Sequence, residues 1–182
     1  MHPRAHLLTT KRTVLTPFDD DDADQLLAMY REPEVRGYLL DNVLVSPAWV
    51  QKEIDASQQR FARHGAGLWA VHRREAAGII GFVGFREFFH PPELQLLYGF
   101  LPAFWGQGYA GEVTARVCER VFRDLDFDEI TSATDVPNRG SSRVLERLGM
   151  QLVKTTNDGV AGTRLYALSR ERWLASAGAQ DA

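Results

Sequence analysis

The stretch LLYGFLPAFWGQGYAGE, residues 96–112, constrains the fold more than any other part of the sequence. A β-prone run ends at Pro102, which cannot donate to a strand ladder. Gly106, Gly108 and Gly111 then lead into a segment where Thr114, Val117, Cys118, Val121 and Leu125 recur at the period of one buried helical face. A strand therefore feeds a helix through a glycine turn, and the chain is mixed α/β. Such a turn aims backbone N–H groups at one point, at the positive end of the helix dipole, and glycine permits both positive φ and close approach of an anion. The residues alone leave a ligand-free bend equally open. The spacing is also a literal G-x-G-x-x-G, but a dinucleotide fold needs further βα units behind that turn, and an acid about 20 residues on. Asp135 is such an acid, yet only a short helix and a hairpin follow it. No Lys-Ser or Lys-Thr follows the glycines, which excludes a P-loop.

Upstream, TVLTPF reads as a strand, and DDDDADQLLAMYREP as a helix opened by carboxylates that cap free N–H groups. Ser46 before Pro47 starts a second helix, which ends at Gly65. GLWAVHR, GIIGFVGFREF and ELQLLYGF are three further strands. After the central helix come the strand EITSATDV and a short helix, NRGSSRVLERLG, with Val144, Leu145 and Leu148 inward and Gly149 at its left-handed end. A hairpin of MQLVKTT and TRLYALS closes a single domain over 1–174, and ASAGAQDA, 175–182, reads as a disordered tail.

Composition narrows the function. The 182 residues carry 45% hydrophobic and 25% charged side chains, an ordinary globular content, and a net charge of −3 offers no basic field to nucleic acid. Cys118 is the single cysteine, so no internal disulfide or cysteine cluster can form, which fits a reducing cytoplasm. The N-terminal stretch lacks the apolar core of a signal peptide, and the longest apolar run has strand length, so neither export nor a membrane span is expected. His2, His6, His64, His72 and His90 show no i, i+4 pairing, and no metal is expected.

LLYGFLPAFWGQGYAGE followed at short range by NRGSSRVLERLGM resembles the GNAT superfamily of N-acetyltransferases, in particular the branch of ribosomal-protein N-terminal acetyltransferases. The resemblance extends more weakly over the whole chain. It implies a central, mostly antiparallel twisted sheet of about seven strands with a splayed middle pair, flanked by about four helices. It implies acetyl-CoA as cosubstrate, with the pyrophosphate on the backbone amides of Gln107, Gly108, Tyr109, Ala110 and Gly111. The pantetheine arm would run along the strand from Leu96 to Leu101, which splays from the strand Thr131 to Val136. Asn138 would help hold the cosubstrate and order water near the thioester, and Ser141 would sit near the sulfur; Asn138 is equally suited to cap its helix.

Two positions depart from the family pattern. Many relatives carry a strand Glu that relays the amine proton; here Gln95 stands in its place and cannot accept a proton at neutral pH. Glu93, two residues earlier, shares its face and could substitute through water, or be a solvated edge residue. Where some branches place an acidic Tyr, Leu145 stands on the buried stripe. The segments REFFHPP and YREPEVRGYL correspond to loops lining the amine pocket in relatives, with Tyr38, Phe88, Phe89 and His90 as candidate walls. The expected reaction is acetyl transfer to a primary amine, a peptide or protein α-amine or a small amino compound, by direct attack on the thioester. A non-catalytic acyl-CoA-binding module and an NAD-dependent oxidoreductase are the alternatives, and a homodimer stays open.

Overall fold

The computed structural model describes residues 6–88, 93–157 and 161–178. Its strands are β1 (Leu8–Thr9), β2 (Thr13–Pro17), β3 (Leu68–Arg73), β4 (Ile79–Phe88), β5 (Glu93–Phe100), β6 (Glu129–Asp135), β7 (Gln151–Thr156) and β8 (Thr163–Ser169). They form one sheet in the order β1-β2-β3-β4-β5-β6-β8-β7. Every neighbouring pair is antiparallel except β5 and β6, which run parallel and meet, among the described residues, at the register pair Gln95↔Thr131. The mostly antiparallel sheet with a splayed middle pair is thus present. The helices are α1 (Ala23–Arg31), α2 (Pro33–Leu39), α3 (Pro47–His64), α4 (Tyr109–Asp124), α5 (Arg139–Arg147) and α6 (Arg170–Gly178).

Two apolar layers sandwich the sheet. Leu26, Met29 and Tyr30 of α1, Val35 of α2, and Val50 and Ile54 of α3 pack on one face with Leu68, Ala70 and Phe82. The face of α4, Val113, Val117, Cys118, Val121 and Phe122, packs on the other with Val83, Phe85, Leu96 and Leu145. Because β4 is covered on both sides, its first seven residues are all buried, and it reads in the sequence as an apolar run rather than an alternation. Alternation along β5 follows from the same two layers: Leu94, Leu96, Tyr98 and Phe100 belong to the α4 side, and Leu97 to the other.

The local signals account for the helix ends. Ser46 Oγ accepts the Trp49 N–H at 3.2 Å, Pro47 occupies the first turn of α3, and Gly65 closes it at φ 70°. In α5, Asn138 Oδ1 accepts the Ser141 N–H at 3.0 Å, and Gly149 at φ 92° lets the Met150 N–H reach the Leu145 carbonyl at 3.0 Å.

Four expectations are corrected. YREPEVRGYL is not a loop: Pro33, free of an N–H obligation at a first turn, opens α2, and Val35 anchors it in the core. Helical backbone runs past 174 to Gly178, behind Trp173, which is buried against Phe122 at 5.6 Å between ring centroids, and residues 179–182 of the expected tail lie outside the described residues. Leu145 and Leu148 of α5 do face the core, but Val144 is only half-buried and lies outside it, while Ser142 is buried with its hydroxyl 3.3 Å from Arg164 Nη1. A two-residue β1, too short to show a period, adds an eighth strand.

Candidate active site

The turn between β5 and α4 is exposed from Trp105 to Gly108 and is held from several sides. Trp105 Nε1 donates to the Phe100 carbonyl at 2.6 Å, and Gln107 Nε2 to the Ala103 carbonyl at 2.8 Å. Gly106 and Gly108 sit at φ 72° and 81°, where a side chain would be strained, and Gly108 is the N-cap of α4. Among the described residues, and apart from the chain immediately around each glycine, no atom lies within 4 Å of where a Cβ would stand on Gly106 or Gly111. The turn therefore presents open space over the first amides of a 16-residue helix. Tyr109 itself is buried, its ring stacked on Phe100 at 6.4 Å, so only its backbone faces the turn.

Arg12, between β1 and β2, reaches across to this turn. Its Nε bonds Glu112 Oε2 at 2.7 Å, its backbone N–H bonds Glu112 Oε1 at 2.9 Å, and its Nη1 donates to the Gln107 carbonyl at 2.9 Å. The guanidinium lies 4.2 Å from the centre of the Tyr109 ring. Burial would raise the Glu112 carboxyl, but hydrogen bonds from Thr10 and Arg12 outweigh it and hold the group below the usual range.

From the turn, β5 runs back toward the point where it parts from β6. Ser132 Oγ donates to the Leu96 carbonyl at 2.9 Å just where the strands begin to diverge. On the α4–α5 side of the gap, Tyr98 Oη and Ser141 Oγ are 2.7 Å apart, and the Tyr98 hydroxyl also lies 3.2 Å from the Ser141 carbonyl. Burial pushes the Tyr98 hydroxyl up to about 12. Leu145 is core, as its place on the apolar stripe suggested, and it is Tyr98, on β5, that supplies a phenol near Ser141.

On the other face Gln95, cross-strand from Arg86, is buried, and its Nε2 has no hydrogen-bond partner among the described residues. Glu93, two residues earlier on the same side of the strand, is exposed. A pocket between α2 and the end of β6 is lined by Tyr38, Asp41, Asn42, Asp135 and Pro137. Burial raises the Asp135 carboxyl, and the charge of Asp41 adds to the effect. Phe88 ends β4 beneath the Arg86 guanidinium, 5.3 Å from its ring centre, while Phe89 and His90 lie outside the described residues. Cys118 is buried in the core with its thiol pushed up to about 12, and is no nucleophile. Leu101 is half-buried and donates its N–H to the Ile80 carbonyl at 3.0 Å.

The structure thus gathers the glycine turn, Asn138, Ser141 and the parted strands around one gap, with Gln95 on the far face. Sequence reasoning missed Tyr98 and Arg12, whose partners lie 43 and up to 100 residues away. A hydroxyl paired with another, a buried amide without a partner and an open cradle of backbone N–H groups can bind an anion and position a neutral nucleophile.

Among known proteins, the family model described as acetyltransferase (GNAT) domain matches residues 12–151. The chain is 28% identical over 150 residues to the uncharacterized N-acetyltransferase YoaA of Bacillus subtilis (strain 168), which covers 80% of this chain and 82% of that protein. In fold it is similar to an acetyltransferase (GNAT family) from Bacillus anthracis, with a TM-score of 0.76 at 17% identity over 91% of this chain and 99% of that one. It is also similar to RimL, described as a ribosomal L7/L12 alpha-N-protein acetyltransferase in complex with coenzyme A, with a TM-score of 0.76 at 15% identity over 90% and 97% of the two chains.

Proposed function

The chain belongs to the GNAT family of N-acetyltransferases, and on that premise we propose that it transfers an acetyl group from acetyl-CoA to a primary amine of low basicity. The acceptor is the α-amine of a peptide or protein, or a small amino compound, attacking the thioester directly. The observation that carries this reading is the open glycine cradle at the N-terminus of α4, continuous with a strand whose partner has parted from it.

The residues fit that cosubstrate. The amides of Gln107 to Gly111 would take the pyrophosphate: Gly106 and Gly108 have positive φ, and the space beside Gly106 and Gly111 is open among the described residues, which supports that role. The edge of β5 beyond Leu96 is left without a β6 ladder and can pair with an amide-bearing arm. Acetyl-CoA, when bound, supplies an activated thioester. In the transfer a C–N bond forms, a C–S bond breaks, the amine loses a proton and the sulfur gains one. The Tyr98 and Ser141 hydroxyls, 2.7 Å apart, form a protic pair from which the sulfur can take its proton, while Asn138 fixes the turn that carries Ser141. Gln95 offers an amide to the acceptor face but no base, so the amine must arrive neutral or lose its proton to water, with Glu93 at the exposed end of the same strand as a candidate carboxylate. Positioning supplies much of such a reaction's acceleration. The description of RimL as an α-N-protein acetyltransferase crystallised with coenzyme A supports both the cosubstrate and an α-amine acceptor.

Thioester loss measured against a panel of α-amino and ε-amino acceptors tests the proposal. Turnover with α-amino acceptors is expected. Tight CoA binding with no turnover across the panel would make the chain an acyl-CoA-binding module instead.

A further inference from the structure

An anion cradle at the start of α4 faces two difficulties that its own residues create. Glu112 places a carboxylate in the first turn of the helix, where its charge opposes an incoming phosphate. Gly106 and Gly108 give the turn its shape but, as glycines, leave it more conformational freedom to lose than any other residues would.

Arg12 answers both. Its backbone N–H and Nε take one carboxylate oxygen of Glu112 each, at 2.9 and 2.7 Å, so the negative charge is committed to a cation on the outer side of the turn. Its Nη1 holds the Gln107 carbonyl at 2.9 Å. A trans peptide carries C=O and N–H on opposite sides, so fixing the Gln107 oxygen on Arg12 directs the Gly108 N–H away from Arg12. The guanidinium lies over the Tyr109 ring, and Nη2 lies 3.6 Å from where a Cβ on Gly108 would stand. One side chain from outside the turn thus grips residues 107, 109 and 112.

We propose that Arg12 is a positioning residue for the cosubstrate: it locks the Gln107–Glu112 turn in its anion-accepting form and neutralises Glu112 within it. This rests on the acetyl-CoA reading above. Lysine can replace it only in part, because a single ammonium cannot span the carboxylate, the carbonyl and the ring together.

The test measures CoA affinity by calorimetry and acetyl-CoA kinetics in the full chain. Arg12→Gln is expected to weaken CoA binding about tenfold and to raise KM for acetyl-CoA in parallel, with kcat changing less than about twofold, as for lost binding shared by ground and transition states. Arg12→Lys is expected to recover only part of that loss, and it carries the same test should Arg12→Gln fail to fold. Adding Glu112→Gln to Arg12→Gln is expected to restore about threefold in affinity, since the uncompensated carboxylate is gone while the Gln107 carbonyl stays unheld. A folded Arg12→Gln or Arg12→Lys protein that binds CoA as the parent does, with any loss confined to thermal stability, would overturn the proposal while leaving the acetyl-CoA reading intact. A parent that does not bind CoA would overturn that reading itself.

Discussion

Tyr98 is held as a neutral phenol by its burial, and with its hydroxyl pushed up to about 12 it stays protonated beside the Ser141 hydroxyl across the whole range in which amines become nucleophilic. Tyr98→Phe is therefore expected to lower kcat about tenfold while moving KM for acetyl-CoA less than about twofold. Steady-state kinetics separate this from a packing defect, which would lower Tm without that split. Gln95 sets a second expectation. A model α-amine has a pKa near 8 and a lysine side chain near 10.4, a gap of about 2.4 units or about 3.3 kcal/mol that a base or a desolvating pocket must offset. With an amide at this buried position, kcat/KM is expected to favour α-amines and to climb with pH, and Gln95→Glu to improve lysine-like acceptors. Comparing α- and ε-amino acceptors over about pH 6 to 10 in the parent, Gln95→Glu and Glu93→Gln decides it. Efficient lysine acetylation at neutral pH, indifferent to Glu93, would sink the argument. Asp135 carries a pH signature of its own. Its carboxyl is raised in the folded state, first by burial and then by Asp41, so it is a destabilising charge that appears as pH rises through the folded value. Asp41→Asn is accordingly expected to raise Tm at neutral pH and to lose that effect in acid, once Asp135 is protonated.

Among the elements, α4 joins packing to binding: its buried stripe anchors one side of the sheet, and its N-terminus opens on the glycine cradle. Gly108→Val is expected to weaken CoA binding strongly, because a β-branched side chain is strained at φ 81° and crowds the approach to the amides. The turn is exposed, so the variant should still fold, and circular dichroism beside calorimetry checks both; unchanged affinity in a folded variant would reduce Gly108 to a turn residue. The run from β5 through α5 was legible in the sequence because its signals are local: Pro102 after a strand, glycines before a four-turn apolar stripe, Asn138 as a cap, Gly149 as a left-handed end. α2 was not, because Pro33 reads as a stop as readily as a start, and only the burial of Val35 decides between them. The candidate site divides the same way. Gly108, Asn138 and Ser141 sit in contiguous motifs, whereas Tyr98–Ser141 and Arg12–Glu112 are made only when distant segments meet.

For the whole molecule, CoA and acetyl-CoA are expected to raise Tm where NAD and NADP do not. A ligand at 100 times its Kd stabilises by about 2.7 kcal/mol, a shift easily read in a thermal melt. Stabilisation by NAD with none by CoA would reverse the assignment. The parting of β5 from β6 also has a mechanical consequence. The eight strands behave as two stiff plates, β1 to β5 and β6 to β8, riveted at Gln95 and Thr131 and splinted from below where α4, lying on β4 and β5, touches α5, lying on β6 and β7. Side-chain contact, rather than a ladder of backbone bonds, sets the width of the slot between the plates, so it can breathe without either plate unfolding. Amides facing the slot, in 97–100 and 133–135, should exchange with deuterium much faster than those in the middle of β4, and should slow when an occupant wedges the plates to a fixed spacing. Protection equal to that of β4 in the free protein would mean that the slot is clamped shut.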